Sequence, residues 1–480
     1  MRLDQIAGRL EGAKIEGDPS TEVAGLAYDS RKVEPGWLYF CVPGTVTDGH
    51  GFAPDAVAAG ASVLVVDREL GLGVTEVEVP AVRAAMAPVA AAFEGYPTAS
   101  LTVAGITGTN GKTTTAFLLR DLLEGAGKQT GLIGTVRQVV GGADEEVERT
   151  TPESVDLQAT FRRMLEAGDA ACVMEVSSHA LDQHRADAIE FDLAIFTNLT
   201  QDHLDYHGDM ESYFLAKRRL FELEPGVALV NADDPYGRRL AAEFGAKTFS
   251  TGSRDADFQA REVEFDRTGS RFIAVTPAGE LPVEVPLPGA FNVSNALAAL
   301  AGAISLGIDP DLAASALAGA SAVPGRLEPV DEGQDFTVLV DYAHTPDSVA
   351  NALEAARELT ANRLITVIGA GGDRDRSKRP LMGEAAGSLS DLTVVTSDNP
   401  RSEPPERIVG EVAAGVPEGA GLVVEVDRDR AIGIAIEGAG PGDTVVIAGK
   451  GHEQGQEFED GRKIPFDDRE VARRHLGERR

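Results

Sequence analysis

Cysteine is nearly missing from this chain: there are two, Cys41 and Cys172, far apart and each inside an apolar run. They read as core thiols in a reducing compartment, so a cytoplasmic protein is expected. Long apolar runs are missing as well. No window approaches the roughly 20 residues that a membrane helix needs, which excludes insertion into a membrane. The opening MRLDQIAGRLEG has no apolar stretch of the kind a signal peptide carries. Positive charge is scarce, with 44 Lys and Arg against 77 Asp and Glu and a net charge of −33. Nucleic acid and anionic membrane surfaces both require a basic patch, so neither is expected as a partner. An anionic substrate must then find a locally basic pocket. There is also no fixed-period repeat and no low-complexity tract.

What is present is a soluble, globular composition, 43% hydrophobic and 25% charged, over 480 residues. That length suggests about three domains. The stretch around which the rest is arranged is VAGITGTNGKTTTAFLLRDLL, Val103 to Leu123. An apolar, β-branched run from Leu101 to Ile106 reads as a buried strand. A loop with Gly108, Asn110 and Gly111 follows, and Lys112-Thr113 then open an amphipathic helix. Strand, glycine loop and helix in that order make a phosphate cradle. Backbone N–H groups approach the anion, the helix N-terminus adds partial positive charge, and Lys112 reaches the terminal phosphates. The Thr113 hydroxyl is placed to hold Mg²⁺. The general pattern asks for glycine where Ile106 stands, so this loop is a variant flanked by Gly105 and Gly108. The chain is expected to handle a nucleoside triphosphate.

The pattern divides into three α/β domains, 1–97, 98–325 and 326–480. In the first, GLAYDSRKVEPGWLYFCVPG reads as a hairpin-like pair of strands around Pro35-Gly36, followed by a helix and strand in FAPDAVAAGASVLVVD. A helix from Val82 to Phe93 ends at Gly95-Tyr96-Pro97, a linker signal. In the second, the strand candidates ACVMEVSSH, FDLAIFTNLTQDH and VALVNADDP alternate with helical patterns and predict a doubly wound parallel sheet. Between Phe258 and Pro288 the pattern changes to an antiparallel excursion, and FNVSNALAALAGAISLG closes the domain as a helix. The third is Rossmann-like, with five strand candidates: FTVLVDYAH, RLITVIGAGGDRD, LTVVTSDNPR, GLVVEVDRD and DTVVIAGKGHEQG. Ligands of such sheets collect at the carboxyl ends of strands. Glu175 ends one of them and could share Mg²⁺ with Thr113 through hard oxygen ligands. His203 lies just past another, in the cluster DHLDYHG.

These stretches also carry a resemblance. GTNGKTTT, EVSSHALDQHR, NLTQDHLDYHGDMESYFLAKRRLF, FNVSNALAA, PGRLE, DYAHTPDS, GGDRDRSKRPLMG, DNPRSEPP and GKGHEQGQ stand in the order found in the Mur ligases. Beginning with DSRKVEPG, the resemblance covers essentially the whole chain. It is closest to the member that extends UDP-N-acetylmuramoyl-L-alanyl-D-glutamate by its third amino acid. The resemblance implies an ATP-dependent amide ligase: ATP phosphorylates a free carboxylate, and an incoming amine attacks the acyl phosphate. It implies ATP contacts at Gly108, Thr109, Asn110, Gly111, Lys112, Thr113 and Thr114, with Asn295, Arg326, Asp341 and His344 around the adenine, ribose and phosphates. ATP would then sit between domains, coupling closure to catalysis. It implies one Mg²⁺ on Thr113 and Glu175 and a second on His203. Lys217 matches a lysine that the family carbamylates, which turns a cation into a carboxylate-like anion.

For the UDP-sugar peptide the resemblance points to Ser30 and Arg31 at the uridine diphosphate. Thr150, Thr151, Ser177, Gln183 and Arg185 match the groups for the sugar and dipeptide, with the Arg185 fork suited to a carboxylate. For the amino acid it points to Arg374, Asp398, Asn399, Arg401, Gly449 and Glu453. An arginine in DNPR favours meso-diaminopimelate, whose distal carboxylate needs a cation. The lysine-adding version of the same ligase is the alternative. A nucleotide-switched binding module is the reading from another class, and the DNPR and GKGHE pair argues against it. Ligases of the folate or D-alanyl-D-alanine type share the loop but should lack DNPR. A monomer acting on small molecules is expected.

Overall fold

The computed structural model describes residues 1–479 except 9, 11, 45, 46, 148 and 267. Arg9 and Glu11, within the opening segment discussed above, therefore lie outside the described residues. The chain falls into two compact units. The first comprises Met1–Thr107, Gly127–Ile195 and Ala216–Ala228, and the second Gly108–Ala126, Phe196–Leu215 and Leu229–Arg480.

The first unit begins with a five-stranded sheet in the order Lys14–Glu16, Thr75–Glu78, Val63–Val66, Leu38–Phe40, Leu26–Ala27. Leu38–Phe40 and Val63–Val66, paired in parallel, are apolar and buried on both faces, as a covered parallel sheet requires, while Lys14–Glu16 is a polar antiparallel edge. Leu38, Phe40, Val63 and Val65 face the helix Val82–Phe93. Tyr39, Cys41, Leu64 and Val66 face the helix Ala53–Ala59. Alternate residues of one strand thus enter two separate cores, the period-2 rule at work.

The hairpin expected around Pro35-Gly36 is not there. Leu26–Ala27 and Leu38–Phe40 pair in parallel, Leu26 opposite Leu38. A tight hairpin closes with a loop of two to five residues. Here the longer stretch between the strands forms its own 3₁₀ turn, Ser30–Lys32, capped by Asp29. The chain therefore crosses over rather than folding straight back. A second sheet in this unit aligns Thr102–Thr107, Ala171–Glu175 and Thr130–Ile133 in parallel. The strands Gln138–Val140 and Ala143–Glu145 extend it in antiparallel fashion. Both cysteines are free and buried, as their apolar surroundings in the sequence predict.

In the second unit the helix Lys112–Gly125 packs against Ala290–Ser305 and Pro310–Ala318. The excursion predicted between Phe258 and Pro288 is a meander of Phe258–Asp266, Gly269–Thr276 and Gly279–Val285. A six-stranded sheet follows in the order Glu328–Pro329, Thr337–Asp341, Thr444–Ala448, Leu364–Ile368, Leu392–Val395, Leu422–Val424. All its pairings are parallel except the first. The five strands read from the sequence are all present. The helices Pro346–Glu358, Lys378–Leu389 and Pro405–Ala413 bury one face of this sheet, and Arg428–Gly438 with Asp468–Glu478 bury the other. That is a doubly wound layer, whose loops at the strand carboxyl ends carry the polar groups. Among the described residues no helix is long and apolar enough to cross a membrane.

Candidate active site

In the second unit the glycine loop is shaped by close approach. Gly111 caps the helix Lys112–Gly125 at φ 86°, and a Cβ there would stand 2.4 Å from Asn295 Oδ1. A Cβ on Gly108 would meet Thr197 Oγ1. No side chain fits at either place, so the backbone N–H groups at the helix start remain accessible to an anion. Lys112 Nζ donates to the carbonyls of Gly108 at 2.9 Å and Thr109 at 2.8 Å. The loop is braced from Thr197–Thr200. Thr197 Oγ1 donates to Asn110 O at 2.6 Å, and Asn110 N donates to Asn198 Oδ1 at 2.9 Å. Asn110 Nδ2 donates to Asp347 Oδ2 at 2.8 Å.

A recess opens beside this loop, lined in part by Asn110, Thr114, Asn295, Phe291, Arg326 and Asp341. Asn295 Nδ2 donates to Asn292 Oδ1 at 3.3 Å, which orients its amide. Arg326 Nη2 donates to Thr113 Oγ1 at 3.2 Å, and its guanidinium lies 4.9 Å from the Tyr342 ring centroid. Asp341 ends a strand and accepts from the backbone of Leu327 and Ala343 at 2.7 and 2.8 Å. Burial raises its carboxyl above the usual range, against the pull of Arg326.

Asp202, unremarked in the sequence, gathers three basic side chains. His203 Nε2 is 3.3 Å away, Lys378 Nζ 3.4 Å and His344 Nε2 3.9 Å. Burial alone would raise Asp202, but His203, Lys378 and His344 more than offset it and hold the carboxyl well below the carboxylate range. His344 is pushed down to about 4 by desolvation and then by the Lys378 ammonium. Its ring is therefore neutral at physiological pH, and Nδ1 meets Tyr342 O at 2.8 Å.

The third group lies at the ends of strands Leu392–Val395 and Thr444–Ala448. Arg401 has φ 52°, and its N–H donates to Glu457 O at 3.1 Å. Its side chain donates through Nε to Glu457 Oε2 at 3.0 Å and through Nη1 to Gly372 O at 2.8 Å. Glu457 belongs to a small hairpin, Gly455–Glu457 with Lys463–Pro465. Asn399 Oδ1 accepts from the buried Lys450 at 2.8 Å, while Asn399 Nδ2 donates to Glu453 Oε2 at 2.8 Å. Lys450 stands 3.7 Å from Asp398. Gly449 leaves room for Asp398, because a Cβ would lie 2.5 Å from Asp398 Oδ2. Arg374 is exposed and donates to Asp373 O at 2.9 Å.

The first unit assembles the other predicted residues. Glu175 ends its strand, and its carboxylate accepts from Thr135 N at 2.8 Å and Thr135 Oγ1 at 3.1 Å. Thr150 Oγ1 is 3.0 Å from Thr135 Oγ1. Thr151 Oγ1 donates to Glu175 O at 2.9 Å and accepts from Ser177 N at 3.1 Å. Arg185 reaches Thr151 O at 2.9 Å and Gln183 Oε1 at 2.7 Å. Ser30 and Arg31 stand on the 3₁₀ turn, apart from this set, with the Arg31 fork on Asp29 at 2.7 Å. That pair holds the Asp29 carboxyl down to about 2. Lys217, on the helix Met210–Glu222, is 1% exposed. An ordinary helix lysine would extend to water.

The structure thus brings together Thr150, Thr151, Glu175, Ser177, Gln183 and Arg185 in one unit, and the loop with Asn295, Arg326, Asp341 and His344 in the other. Sequence reasoning passed over Asp202, Lys378, Lys450 and Glu457. The available signal was a charged residue beside a recognised one, as Asp202 is beside His203. Among the described residues no group of three or more His, Cys, Asp or Glu side chains is arranged to hold a metal.

A glycine loop at a helix start, a polar recess beside it and polar strand ends are the features of an α/β protein that binds a nucleoside triphosphate. Three family models match the chain: "Mur ligase family, catalytic domain" over 22–95, "Mur ligase middle domain" over 106–303 and "Mur ligase, glutamate ligase domain" over 325–451. The chain belongs to the Mur ligase family, whose members are ATP-dependent. The UDP-N-acetylmuramoyl-L-alanyl-D-glutamate–2,6-diaminopimelate ligase of Geobacillus thermodenitrificans (strain NG80-2) is 47% identical over 490 residues, covering 100% of each chain. The ligase of the same name from Gloeobacter violaceus (strain ATCC 29082 / PCC 7421) is 48% identical, over 100% of this chain and 99% of its own. A solved structure of a ligase of that name is 31% identical with a TM-score of 0.71, covering 100% of this chain and 99% of the other.

Proposed function

We propose that this protein is an ATP-dependent amide ligase that joins meso-2,6-diaminopimelate to UDP-N-acetylmuramoyl-L-alanyl-D-glutamate in cytoplasmic peptidoglycan precursor synthesis. The observation that carries this reading is identity near one half, over full lengths, to ligases named for that reaction. The test is a ligation assay offering meso-diaminopimelate, L-lysine and L-ornithine in parallel, with ATP and the UDP-dipeptide. Equal use of L-lysine would sink the choice of amino acid and leave the lysine-adding version.

A carboxylate is a poor electrophile until one of its oxygens becomes a leaving group. Transfer of the ATP γ-phosphoryl to the dipeptide's free carboxylate gives an acyl phosphate and ADP. The amine then attacks the acyl carbon, and phosphate leaves from a tetrahedral intermediate. Such an enzyme works mainly by positioning and by neutralising charge. In this proposal the Lys112 ammonium exchanges two loop carbonyls for the phosphates, with Gly108, Thr109, Asn110, Gly111, Thr113 and Thr114 around it. Arg326 adds a second cation, and Asn295, Asp341 and His344 hold the adenosine. Thr150, Thr151, Ser177, Gln183 and Arg185 hold the sugar and dipeptide, and Ser30 and Arg31 the uridine diphosphate. The three domains are 1–97, 98–325 and 326–480, and the chain acts as a monomer.

Mg²⁺ fits the donor chemistry, since Thr113 and Glu175 offer hard oxygens for one ion and His203 a ligand for a second; when bound they would neutralise phosphate charge. We assign Lys217 as the carbamylated lysine. Burial of a lysine side chain to 1% exposure supports a residue converted to an anion that serves the reacting phosphates. Lys217→Ala is expected to lose most turnover, on the order of tenfold or more, with partial recovery on adding a short carboxylic acid. An alanine variant as active as the wild type would overturn the assignment.

A further inference from the structure

Arg428 and Asp468 form an ion pair in which both side chains are 0% exposed. Each is the first residue of its helix, Arg428–Gly438 and Asp468–Glu478. The pair is bidentate, Nε to Oδ1 at 2.8 Å and Nη2 to Oδ2 at 2.7 Å. Stability alone gives little reason for it. Desolvating two charges commonly cancels their attraction, and the dipole that favours Asp468 at one helix N-terminus is offset by the one that disfavours Arg428 at the other.

What sets the pair apart is where the other arginine donors go. Nη1 donates to Ser397 O at 3.4 Å and Nη2 to Ala448 O at 3.0 Å. Those carbonyls immediately precede Asp398 and Gly449. The two chain ends are not neighbours, because the strand Leu364–Ile368 lies between Leu392–Val395 and Thr444–Ala448. One guanidinium therefore ties together two strand ends across an intervening strand. A Cβ on Gly449 would stand 3.7 Å from Arg428 Nη2, so no side chain separates the clamp from that residue. The Arg428 charge also acts with Lys450 to keep the buried Asp398 ionised against desolvation. A lysine has one nitrogen and cannot make this fork.

We propose that Arg428, locked by Asp468, is a positioning residue for the incoming amino acid, setting the separation between Asp398 and Gly449. The proposal rests on the reading that these two residues hold the diamino acid. Neither Arg428 nor Asp468 touches the substrate; both act through the strand ends.

The test is steady-state kinetics on the full chain, with three variants. Arg428→Met combined with Asp468→Leu removes both charges and leaves an apolar pair, a replacement that buried ion pairs often tolerate. It is expected to melt within a few degrees of the wild type. Its KM for meso-diaminopimelate should rise by about ten- to a hundredfold, the scale of a small misplacement, while KM for ATP stays nearly unchanged. Arg428→Lys keeps charge without the fork and should raise the same KM by a smaller factor. Asp398→Asn is the control for the pocket. If it raises the diaminopimelate KM while the double variant and Arg428→Lys do not, the clamp is overturned and the pocket stands. If Asp398→Asn leaves that KM unchanged, the pocket reading itself falls, and the proposal with it. Should the double variant fail to fold, Arg428→Lys decides: an unchanged KM overturns the clamp.

Discussion

Lys112→Ala is expected to reduce ATP-dependent ligation by at least about 10²–10³-fold, the usual cost of losing one preorganised donor to developing charge. The ammonium sits at the mouth of the loop, within 2.9 Å of two carbonyls that also face the helix start. It is thus already placed where phosphate oxygens would arrive, and alanine leaves only backbone N–H groups to meet them. Affinity for the UDP-dipeptide should stay largely intact, because Thr151, Ser177 and Arg185 are held by bonds among themselves and with Glu175 and Gln183 in the other compact unit. Phosphate release gives the first quantity and calorimetric titration with the UDP-dipeptide the second. An equal loss of both would show that the two binding functions are not separate.

Arg401→Ala is expected to raise KM for meso-diaminopimelate by roughly ten- to several-thousand-fold. Leaving one member of a buried charge pair alone costs about 2–5 kcal/mol, and each 1.4 kcal/mol is about a factor of ten. The geometry supports a binding role over that of a surface arginine. Nε and Nη1 are engaged by Glu457 and Gly372, so the guanidinium plane is fixed. Among the described residues Nη2 has no protein acceptor, and its two N–H donors form the edge offered to a carboxylate. KM for ATP and for the UDP-dipeptide should change little. Arg401→Lys should recover only part of the affinity, since a point charge cannot keep both braces. A variant with unaltered amino-acid KM would refute the pairing.

Much of this was legible in the chain. The strands of the doubly wound sheets show as continuous apolar runs that stop at turn residues, and the glycine loop shows because its spacing is local. Leu26–Ala27 was not legible: a two-residue strand has no period, so its parallel pairing with Leu38 depends on the crossover between them. The basic cluster was missed for another reason. Asp202 and Lys378 are 176 residues apart, and nothing beside either residue tells that the other will neutralise it. Lys217 is singled out only by the family resemblance; its own helix pattern suggests a solvated lysine and gives no sign that the side chain is buried. Arg428 and Asp468 are equally silent, each an ordinary charged residue at a helix start until folding buries both.

The brace on Arg401 bears on how such a protein could be recombined. Its backbone N–H and its Nε both end on Glu457, which lies 56 residues further along the chain. A graft that moves only Asp398–Arg401 into a related scaffold carries the arginine without its anchor, so the ring of donors would arrive with no fixed plane. In a shuffled library, crossovers falling between residues 401 and 457 would split this pair. Clones of that kind should be depleted under selection for diaminopimelate use, and the two segments should travel together as a single inherited block.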